Sequence, residues 1–249
     1  MSKFLIGFGD RELGTITSEE ILFFLTHQSN SKKQSTKRLR YTLLKSFFNF
    51  VENTVDSKIQ NPCNTPLLKK MFRIRQTVQW SILEKESVDE MIFKTVRPRN
   101  RLLLELMARG GMRIGEVLKI RPKDIEERKI ILHEPKSGKE TEGVFIPQKI
   151  ADRLKDYIRN EGINADQRVF PLVYAGARAV VRQAGKLAGI TLTPHDLRRH
   201  AATFASRSGT PLEIVSKVIL RHSNLATTQR YLGKVSDAEA VRWIEHLYG

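Results

Sequence analysis

The sequence predicts a mainly helical protein with one small antiparallel β-sheet. Apolar residues recur at intervals of three and four over most of the chain, which is the period of an amphipathic helix. Only residues 129–133 and 143–146 read as strands, and the Gly-containing turn between them predicts a β-hairpin. A change of pattern near residues 78–83 divides the chain into predicted domains of residues 1–82 and 83–249.

The charge balance predicts a polyanionic partner. Of 249 residues 40% are hydrophobic, as expected of a globular protein. The 43 Lys and Arg outnumber the 27 Asp and Glu, and the net charge of +16 favours nucleic acid as the partner. A ribosome-associated or simply soluble basic protein would show the same balance.

The remaining composition bears on location. The single cysteine, Cys63, allows no internal disulfide and indicates a reducing compartment. No apolar run approaches the ~18 residues of a membrane span, and the first ten residues lack the layout of a signal peptide. We therefore expect a cytoplasmic protein without membrane association.

The N-terminal region predicts a compact helical unit with a basic surface. Residues 17–20 have the order of a capping box, and helices are expected at about 36–51 and 67–71. Between Gln28 and Arg75 there are eleven Lys or Arg and two acids. A solvated face explains such a run as well as a DNA surface does. Because a second compact region follows, we predict contacts to DNA phosphates, which add affinity without sequence specificity. The candidates are Lys32, Lys33, Lys37, Arg38 and Arg40.

The C-terminal region continues with predicted helices on both sides of the hairpin. The first begins at residue 84, and others cover about residues 101–109, 112–118, 150–159, 177–188 and 238–248. Gly110 and Gly111 should end one of these helices, since paired glycines favour a turn over further helix. Pro194 fits the first turn of a helix that carries His195.

The segment from Thr193 to Tyr231 combines His, Arg and Tyr in a way that suggests chemistry at a phosphate. His195 and Arg198 are three positions apart, so a helix presents both on one face. Arginine suits a phosphate because its planar fork donates two parallel hydrogen bonds and keeps its charge. The phenol of Tyr231, with an ordinary pKa of ~10, needs nearby cations to become a nucleophile. Taken singly, a helix-capping His195, a core His222 and a packed Tyr231 are the simpler explanations.

Two upstream positions could complete such a site. Arg113 follows the two glycines and has Glu116 one helical turn on, so Glu116 could hold Arg113 as a second phosphate fork. A surface ion pair is the alternative. Lys136 lies at the hairpin tip, where most lysines are only solvated but where an ammonium could also serve as a general acid. No Walker loop, dinucleotide fingerprint or metal-ligand spacing is evident, so no cofactor or metal is expected.

In this order the segments resemble the motifs of the tyrosine recombinase (phage integrase) family, in particular its small Xer-like bacterial and archaeal members. GMRIGEV at 111–117 is similar to the family's first arginine box, and PKSGK at 135–139 to the hairpin that carries its lysine. TPHDLRR at 193–199 is similar to its His-x-x-Arg box, and LRH and TTQRY within 220–231 to its final box. The resemblance is specific over residues 84–232, whereas the basic N-terminal part matches only in kind.

The resemblance implies a SAM-like helical core-binding domain at the N-terminus and a catalytic domain that ends in an exchange helix. It implies a site-specific DNA recombinase that works without metal or ATP. The partners would be double-stranded DNA and further copies of the chain, two on each DNA site and four across two sites; an accessory protein is left open. The implied catalytic residues are Arg113, Lys136, His195, Arg198, His222 and Tyr231.

Two positions depart from the family's usual pattern. Arg221 stands where Gly usually precedes the second His, and Gly115 where Ser is common. Arg221 adds charge beside the nucleophile segment, which could alter the approach of DNA. Lys139 competes with Lys136 for the lysine role, and the hairpin register favours Lys136.

Two other functions share many of these features. A type IB topoisomerase-like enzyme would use similar chemistry to relax supercoils, and a non-catalytic DNA-binding protein could keep the fold alone. A protein that only binds DNA needs no nucleophile, so Arg113, His195, Arg198 and Tyr231 together argue against it. The motifs do not distinguish chromosome dimer resolution from integration or excision.

Overall fold

The chain folds into two compact units, Met1–Val78 and Gln79–Gly249. A computed structural model describes residues 2–74, 82–133, 135, 140–232 and 237–248, with the backbone alone for 230, 231, 237–239, 247 and 248. The predicted fold class, mainly helical with one small antiparallel sheet, is confirmed. In the described part of the chain, none of the helices has the length and apolar character needed to span a bilayer.

The first unit is a helical bundle around an aromatic core. Its helices are α1 (Ser2–Phe8), α2 (Ser18–Gln28), α3 (Gln34–Phe50) and α4 (Pro66–Met71), with a π-helical turn at Val51–Val55 and single 3-10 turns at Leu13–Thr15 and Pro62–Asn64. The predicted capping box begins α2, since Thr17 Oγ1 accepts from the Glu20 backbone N–H at 3.2 Å and Glu20 accepts from the Thr17 N–H at 2.9 Å. Phe4 and Phe48 meet edge to face, and Tyr41 stacks on Phe72.

The second unit contains the remaining elements. Its helices are α5 (Lys85–Lys94), α6 (Pro98–Arg109), α7 (Ile114–Val117), α8 (Gln148–Asn160), α9 (Tyr174–Leu187), α10 (Pro194–Arg207), α11 (Leu212–Ile214), α12 (Leu225–Leu232) and α13 (Asp237–Tyr248), with a 3-10 turn at Pro122–Asp124 and a π-helical turn at Val215–Ile219. Its strands are β1 (Ile125–Glu126), β2 (Lys129–His133) and β3 (Thr141–Phe145).

Helix α6 is the centre of this unit. Leu103, Leu106 and Met107 are fully buried, and the helix packs against α5, α7, α8 and α10. All residues from 102 to 108 are buried, and a helix segment buried on every side is stable only when other elements cover it. The three strands form an antiparallel sheet in the order β1-β2-β3, with Ile130 of β2 opposite Val144 of β3 and both buried.

The structure differs from the prediction at two elements, one that is shorter than expected and one that was not predicted. A helix was expected over residues 112–118, but α7 is a single turn at 114–117. Gly111 has a φ of +60°, and Arg113 is extended as the residue before the helix, so the turn after α6 occupies the residues that would have lengthened α7. Strand β1 was not predicted, because two residues carry no alternation to detect.

Gly111 is placed where no other residue fits. Its φ is in the left-handed region, and a Cβ at this position would lie 2.6 Å from the carbonyl oxygen of Ile219. Gly162 has a similar φ of +63°, but a Cβ there would meet nothing within 4 Å. The two glycines therefore separate the effect of backbone strain from that of the close approach.

We expect Gly111→Ala to destabilise the protein more than Gly162→Ala does. The control loses about 1 kcal/mol from left-handed strain alone, whereas Gly111→Ala must also displace the π-helical turn and loses more than about 2 kcal/mol. Urea unfolding of the full chain measures both. Equal losses would mean that the approach to Ile219 is relaxed without cost.

Candidate active site

The first predicted arginine is positioned by the turn after α6. The Arg113 backbone N–H donates to Glu116 Oε2 at 2.7 Å, and its guanidinium donates to Glu116 Oε1 at 2.6 Å. Glu116 is 9% exposed and the Arg113 side chain 25%, so the pair is not the surface ion pair considered as an alternative. Burial favours the neutral form of Glu116, but Arg221 and the hydrogen bonds with Arg113 outweigh it and lower the pKa of this carboxyl.

The second arginine comes from the first turns of α10. Thr193 and Asp196 form a capping box that begins this helix, and Pro194 occupies its first position as predicted. The Arg198 side chain is among the most buried of the chain, at 1% exposed. Its guanidinium donates to the carbonyl oxygen of Gly111 and to that of Leu220. Arg198 thus joins three segments that are far apart in sequence.

His195 lies one turn before Arg198, on the face that the i, i+3 spacing predicts. Burial lowers the pKa of its imidazole below the ordinary value, and the positive charges of Arg198 and Arg199 act in the same direction. At neutral pH the ring is therefore neutral and can accept or donate a hydrogen bond.

His222 is held by a chain of hydroxyl groups. Its Nδ1 lies 2.9 Å from Thr228 Oγ1, and Thr228 in turn donates to Ser216 Oγ at 2.8 Å. When the Thr228 hydroxyl donates its one proton to Ser216, Nδ1 of His222 is the donor to Thr228, and Nε2 is then the unprotonated nitrogen of the neutral ring. The spacing of these three residues in the sequence did not predict this chain of hydrogen bonds.

The surroundings keep His222 neutral. Burial is the largest cause of its lowered pKa, which falls to about 4. The charges of Arg198, Arg113 and Arg221 lower this pKa further. The ring is therefore uncharged at neutral pH.

Arg221 points into the protein rather than toward a ligand. Its side chain is 1% exposed, and its guanidinium donates to Glu116 Oε2 at 2.8 Å and to the carbonyl oxygen of Ile219 at 2.9 Å. Its φ of +52° lies in the left-handed region, which favours the glycine that the resemblance led us to expect at this position. The expectation that Arg221 could alter the approach of DNA is corrected, since the charge is buried between protein groups.

Arg113, His195 and Arg198 share a cavity of about 910 Å³. Further basic side chains border the same cavity, namely Lys119, Arg121, Lys123 and Arg168. A concave surface with this excess of cations suits a polyanion. His133 reaches the cavity from the end of β2 and contacts the buried Asp124 through Nε2 at 3.2 Å.

Two predicted site residues have side chains outside the described residues. Lys136 and its competitor Lys139 lie in the undescribed part of the segment between β2 and β3. Tyr231 belongs to α12 by its backbone, and its side chain is not described. The structure therefore brings together four of the six predicted catalytic residues: Arg113, His195, Arg198 and His222.

No cluster of three or more His, Cys, Asp or Glu with the geometry of a metal site occurs within the described ranges. The chemistry that the described groups can perform is anion binding by guanidinium and proton transfer by neutral imidazole.

The predicted phosphate contacts of the first unit lie around the start of α3. Lys32 and Lys33 are exposed just before this helix, and Lys37 is half-buried in its first turn. The Arg38 guanidinium lies over the Tyr41 ring at 5.6 Å. Arg40 donates to the carbonyl oxygen of Gln28 and lies 3.4 Å from Ser29 Oγ, so it also closes the end of α2. Sequence reasoning did not single out a groove of about 520 Å³ along the next turns of α3, lined by Arg38, Lys45, Lys69 and Arg73.

Known proteins resemble this chain in sequence and in fold. The model of the phage integrase family matches residues 82–237. The tyrosine recombinase XerA of Thermococcus kodakarensis is 24% identical over 231 residues, which cover 88% of this chain and 78% of that protein.

Two solved structures have the same fold. XerH site-specific recombinase bound to palindromic difH substrate is 20% identical with a TM-score of 0.72, over 94% of this chain and 70% of that one. A lambda integrase dimer bound to a COC′ core site is 18% identical with a TM-score of 0.69, over 93% of this chain and 68% of that one. The family match covers more than half of the chain and includes each motif that indicated it, so the chain belongs to the phage integrase family, the tyrosine recombinases.

Proposed function

We propose that this protein is a site-specific recombinase that cuts and rejoins double-stranded DNA through a 3′-phosphotyrosine intermediate. The observation that carries the proposal is the convergence of separate segments on Arg198. Its guanidinium binds the backbone beside both Arg113 and His222, so two phosphate forks and a neutral imidazole meet at one place. A protein that binds DNA without catalysis does not require two guanidiniums and a neutral imidazole at one place.

The cleavage step follows from these groups. Arg113 and Arg198 bind the nonbridging oxygens of the scissile phosphate, and His195 supports the charge that develops there. The Tyr231 oxygen forms a bond to phosphorus while its proton passes to Nε2 of His222. The bond from phosphorus to the 5′-oxygen breaks, and Lys136 supplies the proton that this oxygen takes up.

Rejoining is the same sequence in reverse. The phosphodiester that Tyr231 forms conserves the energy of the bond that was cut, so a 5′-hydroxyl from another strand can replace it without ATP. Strand exchange then needs only the exchange of one 5′ end for another.

The assembly on DNA is proposed from related proteins and from α13. The lambda integrase structure is a dimer on a core site, and we propose two copies on each site and four across two sites. In α13, Val241 and Ile244 are 61% and 56% exposed, whereas the Trp243 ring lies 3.2 Å from the position of a Cβ on Gly209. The helix thus rests on its own unit through Trp243 and can offer its other apolar residues to a neighbouring copy.

The first unit is proposed as a SAM-like core-binding domain. The groove along α3 carries four cations and is lined by Thr42, Ser46 and Asn49 as well, and such groups hold DNA phosphates. The cellular task would be performed in the cytoplasm, in chromosome segregation or in DNA integration, with or without an accessory protein.

Tyr231→Phe is expected to abolish the covalent protein–DNA adduct on a nicked suicide substrate, because phenylalanine has no oxygen to attack phosphorus. The matched control is Tyr157→Phe in α8, which removes a half-buried phenol elsewhere in the same unit and should leave adduct formation intact. Denaturing gel electrophoresis separates adduct from free DNA.

An adduct with Tyr231→Phe would assign the nucleophile to another residue. A wild-type protein that relaxes supercoiled DNA but never joins strands from two sites would instead favour the topoisomerase-like function.

Replacing Lys45 and Lys69 by Gln should weaken the salt dependence of DNA binding. If each contacts one phosphate, the slope of log K against log salt falls by about 1.8, since one contact contributes about 0.9. The control is the double variant of Lys3 and Lys58, two exposed lysines of the same unit outside the groove. Fluorescence anisotropy at several salt concentrations measures both, and equal slopes would place the DNA surface elsewhere.

A further inference from the structure

Arg221 is buried at a backbone conformation that disfavours it. Its φ of +52° lies in the left-handed region, which residues with a Cβ adopt rarely. Its guanidinium is nevertheless 1% exposed and contacts groups from three elements. A glycine would adopt this conformation without strain. The contacts of the Arg221 side chain must therefore offset the free energy that the left-handed backbone costs.

The contacts of Arg221 link two carboxylates. One terminal nitrogen donates to Glu116 Oε2 at 2.8 Å, and Nε lies 3.4 Å from Glu142 Oε2. Both carboxylates are buried, with 9% and 8% of their side chains exposed. Glu116 accepts a hydrogen bond from Arg221, whereas Glu142 is attracted by its opposite charge alone, since neither Arg221 Nε nor Glu142 Oε2 has a hydrogen-bond partner in the described part of the chain.

Glu116 transmits this link to Arg113. Its Oε1 accepts from the Arg113 guanidinium at 2.6 Å, while its Oε2 accepts from the Arg113 backbone and from Arg221. The carboxylate therefore lies between two guanidiniums, one facing the cavity and one facing the interior. Movement of the inner guanidinium would release the carboxylate that orients the outer one.

Glu142 transmits the link to the sheet. It is the second residue of β3, which pairs with β2 along its whole length. Arg221 thus connects the sheet to the Arg113 turn through two ion pairs. One is with Glu116 of α7 and the other is with Glu142 of β3.

We propose that Arg221 is a positioning residue, which orients Arg113 toward the scissile phosphate by holding Glu116 and tying it to β3 through Glu142. The inference rests on the proposed function, since it assumes that Arg113 binds a nonbridging oxygen of that phosphate. Arg221 itself does not touch the DNA.

The test compares variants on substrates that lack one nonbridging oxygen. A methylphosphonate at the scissile position replaces one of the two oxygens by a methyl group, and each diastereomer lacks a different one. Single-turnover adduct formation is measured for Arg113→Ala, Arg198→Ala and Arg221→Gly on the phosphate and on both diastereomers. The ratio of adduct-formation rates between the two diastereomers then identifies the nonbridging oxygen whose contact with an arginine is weakened in each variant.

Arg221→Gly should form adduct on the phosphate substrate about 10- to 100-fold more slowly than wild type, as expected when a binding group is misplaced by about 1 Å. Its affinity for DNA should stay within about twofold, because the few contacts of Arg113 are a small part of the phosphate contacts. Its diastereomer ratio should match that of Arg113→Ala and differ from that of Arg198→Ala.

A wild-type rate for Arg221→Gly would overturn the inference, and so would a loss that is equal on all three substrates or that follows Arg198→Ala. If Arg113→Ala itself is unimpaired on the phosphate substrate, the proposed function of Arg113 is wrong instead. Should Arg221→Gly fail to fold, Arg221→Lys and Glu142→Gln are judged by the same ratio. Both keep a polar side chain at the altered position. Arg221→Lys weakens both contacts of the guanidinium, whereas Glu142→Gln weakens only the contact with β3.

Discussion

The site depends on holding several guanidiniums together inside the protein. Removing a cation from water costs several kcal/mol even after relaxation, and like charges repel one another in a medium of low polarity. Arg198 and Arg221 are each almost fully buried, and Arg113 lies close to both. Glu116 offsets part of this charge, and the carbonyl oxygen of Gly111 accepts from Arg198 and lies 3.4 Å from Arg221. In the proposed function, a phosphodiester that enters this site meets an arrangement of cations that already exists without it.

This constraint explains the local backbone. Gly111 must be left-handed and must pass close to Ile219, because its carbonyl oxygen is the shared acceptor of two arginines. Helix α7 is reduced to one turn for the same reason, since Arg113 has to stay extended for Glu116 to reach both its backbone and its side chain. If α7 began earlier, its residues would follow their helical propensity, but Glu116 could no longer contact both the backbone and the side chain of Arg113.

The same charges set the acid–base chemistry. Donors and cations that are fixed before the reaction stabilise developing charge without reorganising. Because burial and the surrounding arginines lower the pKa of His222, the ring is uncharged at neutral pH and adds no further positive charge to the site. The hydrogen bonds to Thr228 and from Thr228 to Ser216 then influence which ring nitrogen carries the proton.

Much of this could be predicted from the sequence, because the chemistry is carried by short motifs. His195 and Arg198 share a face through helical spacing alone, and α10 starts at a proline behind a capping residue. The inward direction of Arg221 could not be predicted in this way. It depends on one left-handed residue and on Glu142, which the fold of the hairpin brings from a distant part of the chain.

The most direct test of the buried, cation-rich site is the titration of His222 in the full-length protein, followed by nitrogen NMR of the ring, since burial and the arginines together lower the pKa of this ring. The account predicts a neutral ring with the proton on Nδ1 and a pKa near 4, well below the ordinary imidazole value. A pKa at or above about 6.5, or a proton on Nε2 in the neutral ring, would contradict it.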